Sequence, residues 1–290
     1  MELPDVLVDA DWLADHLGDD GPVVLDCTVD LRPGGDTGYQ AVSGRDKWED
    51  GCIPGSGFAD LVDALSDPDS SLRFTMPTAD RFAAAMGALG VGDGTAVVLY
   101  DRRFNMWATR VWWMLRAFGF DRAAVLDGGW RAWQAGGHPV EAGRDQPAPE
   151  PATFTPRPRP ELIASADDVL DATRTPTCLV NALSPEQHRG DDLTYGRAGH
   201  IPTATNVYAV DLVDPETHVY LPLAELAAHF DRAGIPADPD EPVITYCGGG
   251  IAATSDAFAL HRLGHRDVAV YDGSLSEWIS DPDRPMVTAD

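Results

Sequence analysis

The residue best suited to covalent chemistry is Cys247, in the run PVITYCGGGIAAT from Pro242 to Thr254. An apolar strand ends on this cysteine, three glycines turn the chain, and IAATSDAFALHRLG continues as a helix closed by Gly264. Glycine lets the backbone curl around a small target, so that successive N–H groups converge at a helix N-terminus, where negative charge is favoured. A thiol held there is expected to ionise more readily than a free one and to act as a nucleophile at neutral pH. The same cradle would suit a persulfide anion or the negative oxygens of an incoming molecule. The competing reading is an inert core cysteine at a strand end, since free cysteine is among the most buried residue types. The other cysteines, Cys27, Cys52 and Cys178, form no C-x-x-C and no metal-ligand spacing. A chain of this size needs no disulfide staples, so reduced thiols are expected, with Cys27 and Cys178 on strand-like runs in the core.

Elements able to hold such a loop recur along the chain. VVLD, AVVLY and AAVLDGG in the first half, and CLVN, PVITYC and VAVYDGS in the second, alternate with longer amphipathic stretches. That is the pattern of a parallel-sheet α/β protein, whose ligands sit at the carboxyl ends of the strands. The halves also match in order. VVLYD with RVWWMLRAFGFDRAAVLDGGWRAW lies alongside VITYC with SDAFALHRLGHRDVAVYDGSLSEW, and Asp127 pairs with Asp272 as Trp133 does with Trp278. Gly51-Cys52-Ile53-Pro54 pairs with Gly199-His200-Ile201-Pro202. Matched landmarks in one order indicate duplication, with residues 1–142 and 162–290 as the two domains. Between them, the proline-dense segment 143–161 opposes helix and central strand and favours an extended connector; a long surface loop within one domain is the alternative.

Composition narrows the partners. The 290 residues carry 47 acidic and 21 basic side chains, a formal charge of −26. Such a surface repels nucleic-acid phosphate and anionic lipid, so neither is an expected partner. A site for a small anion must therefore supply positive potential locally. Lys47 is the sole lysine, which leaves that task to arginine and backbone N–H groups. The start, MELPDVLVDADWLADHL, lacks the basic flank and apolar run of a secretory signal, and no segment approaches the roughly 18 consecutive apolar residues of a membrane span. A cytoplasmic location is expected.

The motifs GCIPG, VLDGGWRAW, GHIP, YCGGGIAA and YDGSLSEW together make the chain resemble the tandem-domain rhodanese family of thiosulfate and 3-mercaptopyruvate sulfurtransferases. The resemblance implies an α/β fold of two tandem rhodanese-like domains, each a parallel sheet flanked by helices. The first is a catalytically inactive copy, with Asp101 at the position of Cys247. It implies a persulfide on Cys247, held by the loop Gly248, Gly249, Gly250, Ile251 and Ala252, with transfer from a small anionic sulfur donor to cyanide or a thiol. No metal or organic cofactor is implied. Glycine after the cysteine resembles the mercaptopyruvate type, whereas basic residues there accompany thiosulfate preference. Gly249 stands where the mercaptopyruvate type has serine, and Cys52 where its first domain has histidine, so the relay to the leaving group is incomplete. Asn181 and Leu183 replace the Asp and Arg of a frequent Asp-Ala-Arg.

By the same resemblance Arg189 pairs with the donor's carboxylate or sulfonate and Arg197 stands as a second such residue, although both lie in a charged stretch that also reads as solvated surface. Met106 and Trp107 match residues lining the cleft between domains, with core packing as the alternative for a face as apolar as WATRVWWML. Cys52 is a further candidate for the cleft, as a thiol able to exchange with Cys247. Phosphatases of related fold have a longer loop ending in arginine; here no arginine follows Cys247 before Arg262. A non-catalytic sulfur carrier or binding module is the remaining rival.

Overall fold

The computed structural model describes residues 1–18, 20–34 and 39–289. In the first half the strands are β1 (Leu7–Val8), β2 (Val23–Asp26), β3 (Val29–Pro33), β4 (Tyr39–Ser43), β5 (Gly57–Phe58), β6 (Val97–Tyr100) and β7 (Ala123–Leu126). The second half has β8 (Ile163–Ala164), β9 (Cys178–Asn181), β10 (Thr205–Asn206), β11 (Val243–Tyr246) and β12 (Val268–Tyr271). Two five-stranded sheets form, ordered β1-β7-β6-β2-β5 and β10-β9-β11-β12-β8, and every pairing within them is parallel. One order is the other read backwards with matched strands exchanged, so the repeat in sequence is a repeat in topology. An antiparallel ribbon of β3 and β4 is an addition to the first half.

The helices are α1 (Ala10–Asp15), α2 (Arg45–Asp50), α3 (Ala79–Ala88), α4 (Met106–Ala117), α5 (Gly129–Ala135), α6 (Ala166–Ala172), α7 (Pro185–Arg189), α8 (Leu223–Arg232), α9 (Ala252–Arg262) and α10 (Ser274–Trp278). The central strands β6 and β11, VVLY and VITY, are buried at every residue, which explains their lack of polar alternation. As its sequence suggests, α9 ends at Gly264, whose φ of +94° suits only glycine without strain. There the His265 N–H returns to the Leu260 carbonyl at 3.0 Å.

The halves share one apolar core. Helix α4 packs on α9, with the Thr109 hydroxyl 3.2 Å from that of Thr254 and 3.1 Å from that of Ser255. Trp112 meets Phe258 edge-on, ring centroids 4.8 Å apart. The connector lies along the first half: the Ala152 N–H donates to the Gly87 carbonyl at 2.9 Å and the Arg157 N–H to that of Phe118 at 2.7 Å. Short 3-10 turns at Gly143–Asp145 and Pro160–Leu162 interrupt its extended course.

Candidate active site

Cys247 follows β11 directly, and its loop runs to the start of α9 at Ala252. The loop is closed by a residue that sequence reasoning passed over. Ser274 Oγ accepts the N–H groups of both Cys247 and Gly250 at 3.1 Å and donates to the Tyr271 carbonyl at 2.8 Å. It lies 4.0 Å from Cys247 Sγ. The start of α10 adds two ties, from the Leu275 N–H to the Cys247 carbonyl and from the Ser276 N–H to the Gly248 carbonyl, at 3.0 and 2.9 Å. With carbonyls and two amides thus anchored, the N–H groups of Gly248, Gly249 and Ile251 donate to no protein acceptor among the described residues. Unpaired amides on a curled loop are what an anion requires. Gly250 has φ +76°, and a β-carbon there would lie 2.6 Å from the Asp272 carbonyl. Cys247 is 2% exposed. On the Gly249 side, by contrast, no heavy atom stands within 4 Å of where a β-carbon would be.

The first half takes part through Arg110, a residue of α4 with no side-chain exposure. Its Nη1 donates to the Gly250 carbonyl at 3.1 Å, and its Nη2 pairs with Asp272 Oδ1 at 2.6 Å and donates to the Phe74 carbonyl. Asp272 Oδ2 also accepts the Met76 N–H at 2.9 Å. A buried cation therefore rests against the loop at the Gly250 carbonyl. The arrangement has a counterpart: Asp127 Oδ1 accepts the Tyr220 N–H at 2.8 Å. Phe74 and His218, two residues before Met76 and Tyr220, both adopt positive φ, 63° and 62°. His218 Nδ1 accepts the Phe104 N–H at 3.4 Å, and its carbonyl accepts from Asn105 Nδ2 at 2.8 Å. Each half thus sends a segment across to the other's strand-exit loop.

In the first half that loop starts at Asp101. Its carboxylate accepts N–H groups from Arg103 at 2.6 Å, Trp107 at 2.8 Å and Ala108 at 2.9 Å. Burial pushes its pKa up to about 7 against the pull of those three bonds. Gly129, matched to Ser274, has no hydroxyl to offer, and a β-carbon there would strike the Asp101 carbonyl at 2.3 Å.

The remaining predicted residues fall into two groups. Trp107 is buried with its ring 5.3 Å from that of Phe74, whose carbonyl accepts from Arg110, and Met106 is half-buried beside it at the start of α4. The other three are engaged with partners outside the loop. Arg189, at the end of α7, pairs with Asp191 at 3.0 Å and Glu186 at 3.4 Å. Arg197 spends both Nη atoms on the carbonyls of Asp281 and Arg284, at 3.3 and 2.8 Å, which ties it to the C-terminal segment. Cys52 is fully buried and hydrogen-bonded through its backbone to Glu141 at 2.7 Å. Burial raises its thiol pKa, and its neighbours Ser56, Asp26 and Arg102 all belong to the first half. Its place is the counterpart of His200 rather than the Cys247 loop, because Ile53 and Ile201 follow them and give their N–H groups to Tyr100 and Tyr246. All four cysteines are free thiols. Burial raises the pKa of Cys27 strongly and that of the half-buried Cys178. Among the described residues no group of three or more His, Cys, Asp or Glu could hold a metal ion, and no helix is long and apolar enough to cross a membrane.

Residues 9–136 and 165–281 match the family model of the rhodanese-like domain. Over 284 residues the chain is 34% identical to the 3-mercaptopyruvate sulfurtransferase of Escherichia coli K12, covering 96% of each. It is 32% identical over 283 residues to the thiosulfate sulfurtransferase of Cricetulus griseus, covering 94% of this chain and 91% of that one. The crystal structure of SseA from Escherichia coli, a 3-mercaptopyruvate sulfotransferase by its description, superposes with a TM-score of 0.81 at 32% identity, over 93% of this chain and 98% of that one.

Proposed function

The chain belongs to the rhodanese family, and from that premise we propose that it is a sulfurtransferase that carries sulfane sulfur on Cys247. The Cys247 thiolate attacks the outer sulfur of the donor and forms a Cys–S–S bond. With thiosulfate the S–S bond breaks and sulfite leaves with the electron pair. With 3-mercaptopyruvate the C–S bond breaks, and the departing enolate takes up the proton of the donor's thiol to become pyruvate. An acceptor, cyanide or a thiolate, then attacks the outer sulfur and regenerates the Cys247 thiolate. The reading is supported above all by the unpaired amides of Gly248, Gly249 and Ile251 around a cysteine at a strand end, which stabilise the terminal sulfur's negative charge.

Arg189 is the side chain we assign to the donor's anionic group. Its present partners are surface carboxylates, and exposed ion pairs of this kind are worth only about 0–1 kcal/mol, so exchange for a donor anion is cheap. Arg197 has no such freedom and is assigned to structure. Residues 1–142 and 162–290 are taken as the two domains, with 143–161 as the connector. Intact-mass measurement after exposure to either donor tests the proposal. One added sulfur on Cys247, removed by cyanide, is the expected result; no adduct with both donors would leave a non-catalytic carrier or binding module.

A further inference from the structure

The two strand-exit loops differ in charge at three matched places. On the Cys247 side stand Gly249, Ser276 and the crossing residue Phe74, none of them charged. Counted from Asp101 and Cys247, from Asp127 and Asp272, and from the two crossing segments, their counterparts are Arg103, Arg131 and His218. Gly249 leaves open space beside its loop, and Ser276 Oγ turns back to donate to the Gly248 carbonyl at 2.6 Å. In the first half both positions carry exposed arginines instead. Although the chain has 47 acidic side chains, neither arginine forms an ion pair among the described residues.

His218, 9% exposed, is short of acceptors. The Phe104 N–H meets its Nδ1 at 3.4 Å, and Arg131 Nη1 meets its Nε2 at 3.3 Å. Burial first, then the charge of Arg131, with a smaller push from Arg103, lower its pKa against the pull of Asp214, so the ring is neutral at neutral pH. A neutral imidazole accepts at one nitrogen only, so one of the two donors meets an N–H. The Phe104 amide is fixed in its loop, whereas Arg131 ends an exposed side chain, and the shortage therefore falls at Nε2. Asp214 does not fill it. Its Oδ1 closes its own turn, accepting the N–H groups of Glu216 and Thr217 and the Thr217 hydroxyl at 2.9, 2.7 and 2.9 Å, and it pairs with neither arginine.

We propose that the mouth of the Asp101 loop is a second anion site, where a small oxyanion of the sulfate class accepts from His218 Nε2–H and Arg131 while Arg103 supplies a further positive charge. Two guanidinium groups reward a dianion over a monoanion, unlike the uncharged amides of the Cys247 loop. Such binding requires no turnover and stands apart from the sulfurtransferase reading.

NMR of the His218 ring during titration with sodium sulfate, at ionic strength held constant with sodium chloride, tests the site, with His218→Gln to identify the signals. A saturable shift is expected, weakened about tenfold or more in Arg131→Gln and in Arg103→Gln, the worth of a hydrogen bond or close charge on an anion. Both arginines are exposed and unpaired, so the variants should keep the wild-type melting temperature. Methanesulfonate, the same headgroup with a single charge, should bind about tenfold more weakly than sulfate. A shift that chloride reproduces, or a sulfate affinity unchanged in both variants, would overturn the site. Equal binding of methanesulfonate and sulfate would overturn the assignment to a free dianion and point to the sulfonate of a larger molecule.

Discussion

The Asp101 and Cys247 loops leave matched strands, β6 and β11, and enter matched helices, α4 and α9. They differ in how they satisfy their amides. In the first half a carboxylate folds back and takes three N–H groups for itself. In the second a hydroxyl brought from α10 takes two, those of Cys247 and Gly250, and leaves others uncommitted. A curled loop at a strand end attracts negative charge in either case. One copy fills its loop with its own carboxyl group, whereas the other leaves loop amides open.

The comparison breaks most completely at the nucleophile. Cys247→Ala should lower turnover by about a thousandfold or more and abolish the sulfur adduct. If substantial transfer persisted, the chemistry would lie elsewhere. Next is the cation under the loop: Arg110→Met leaves Asp272 buried without its partner and should cost about 3–5 kcal/mol, read by urea unfolding. Adding Asp272→Asn should recover part of that loss, and a double-mutant cycle measures how much.

The captive carboxylate of the first half gives a pH signature. Asp101 has its pKa raised from the ordinary range near 4 to about 7, chiefly by burial. Between those values the folded protein holds a proton that the unfolded chain releases. Stability from this group is therefore full below about pH 4 and declines until about pH 7, by an amount of order 2–4 kcal/mol. Asp127, raised to about 6 by burial, acts in the same direction. Denaturant melts at several pH values should show the decline, and Asp101→Asn should flatten it. A slope unchanged in that variant would mean that Asp101 is not its source.

Smaller effects sharpen the contrast. Ser274→Ala removes the acceptor shared by two loop amides and should reduce the rate of persulfide formation about tenfold. Stopped-flow measurement with excess donor would detect it, while an unchanged rate would show that the loop keeps its shape without the hydroxyl. Cys52→Ser should leave turnover and oxidation sensitivity within about twofold of wild type, since this thiol's neighbours belong to the first half.

The sequence carried the sheets, the repeat, the loop and the helix end at Gly264, because each depends on residues close together in the chain. Paired landmarks even located the equivalence of Cys52 and His200, later visible in the bonds of Ile53 and Ile201 to two tyrosines. It did not disclose Ser274 or Arg110. Each acts on the Cys247 loop from a distant part of the chain, and neither has a residue type that signals its partner. Ser274 could have been suspected from YDGS standing against LDGG, since the half with the thiol is the half with the hydroxyl. The resemblance pointed to Arg197 as a second anion ligand; the two carbonyls that hold its guanidinium are not legible in the sequence.

The crossed segments around Phe74 and His218 make each half a dependant of the other. The copy without a nucleophile supplies the buried arginine and the Met76 contact to the working copy, and receives His218 and Tyr220 in return. Deleting the silent copy would expose apolar helix surface and strip its sibling of a charged prop. Interlocked in this way, the halves share the cost of a substitution in either, and neither can be removed without taking contacts from the other.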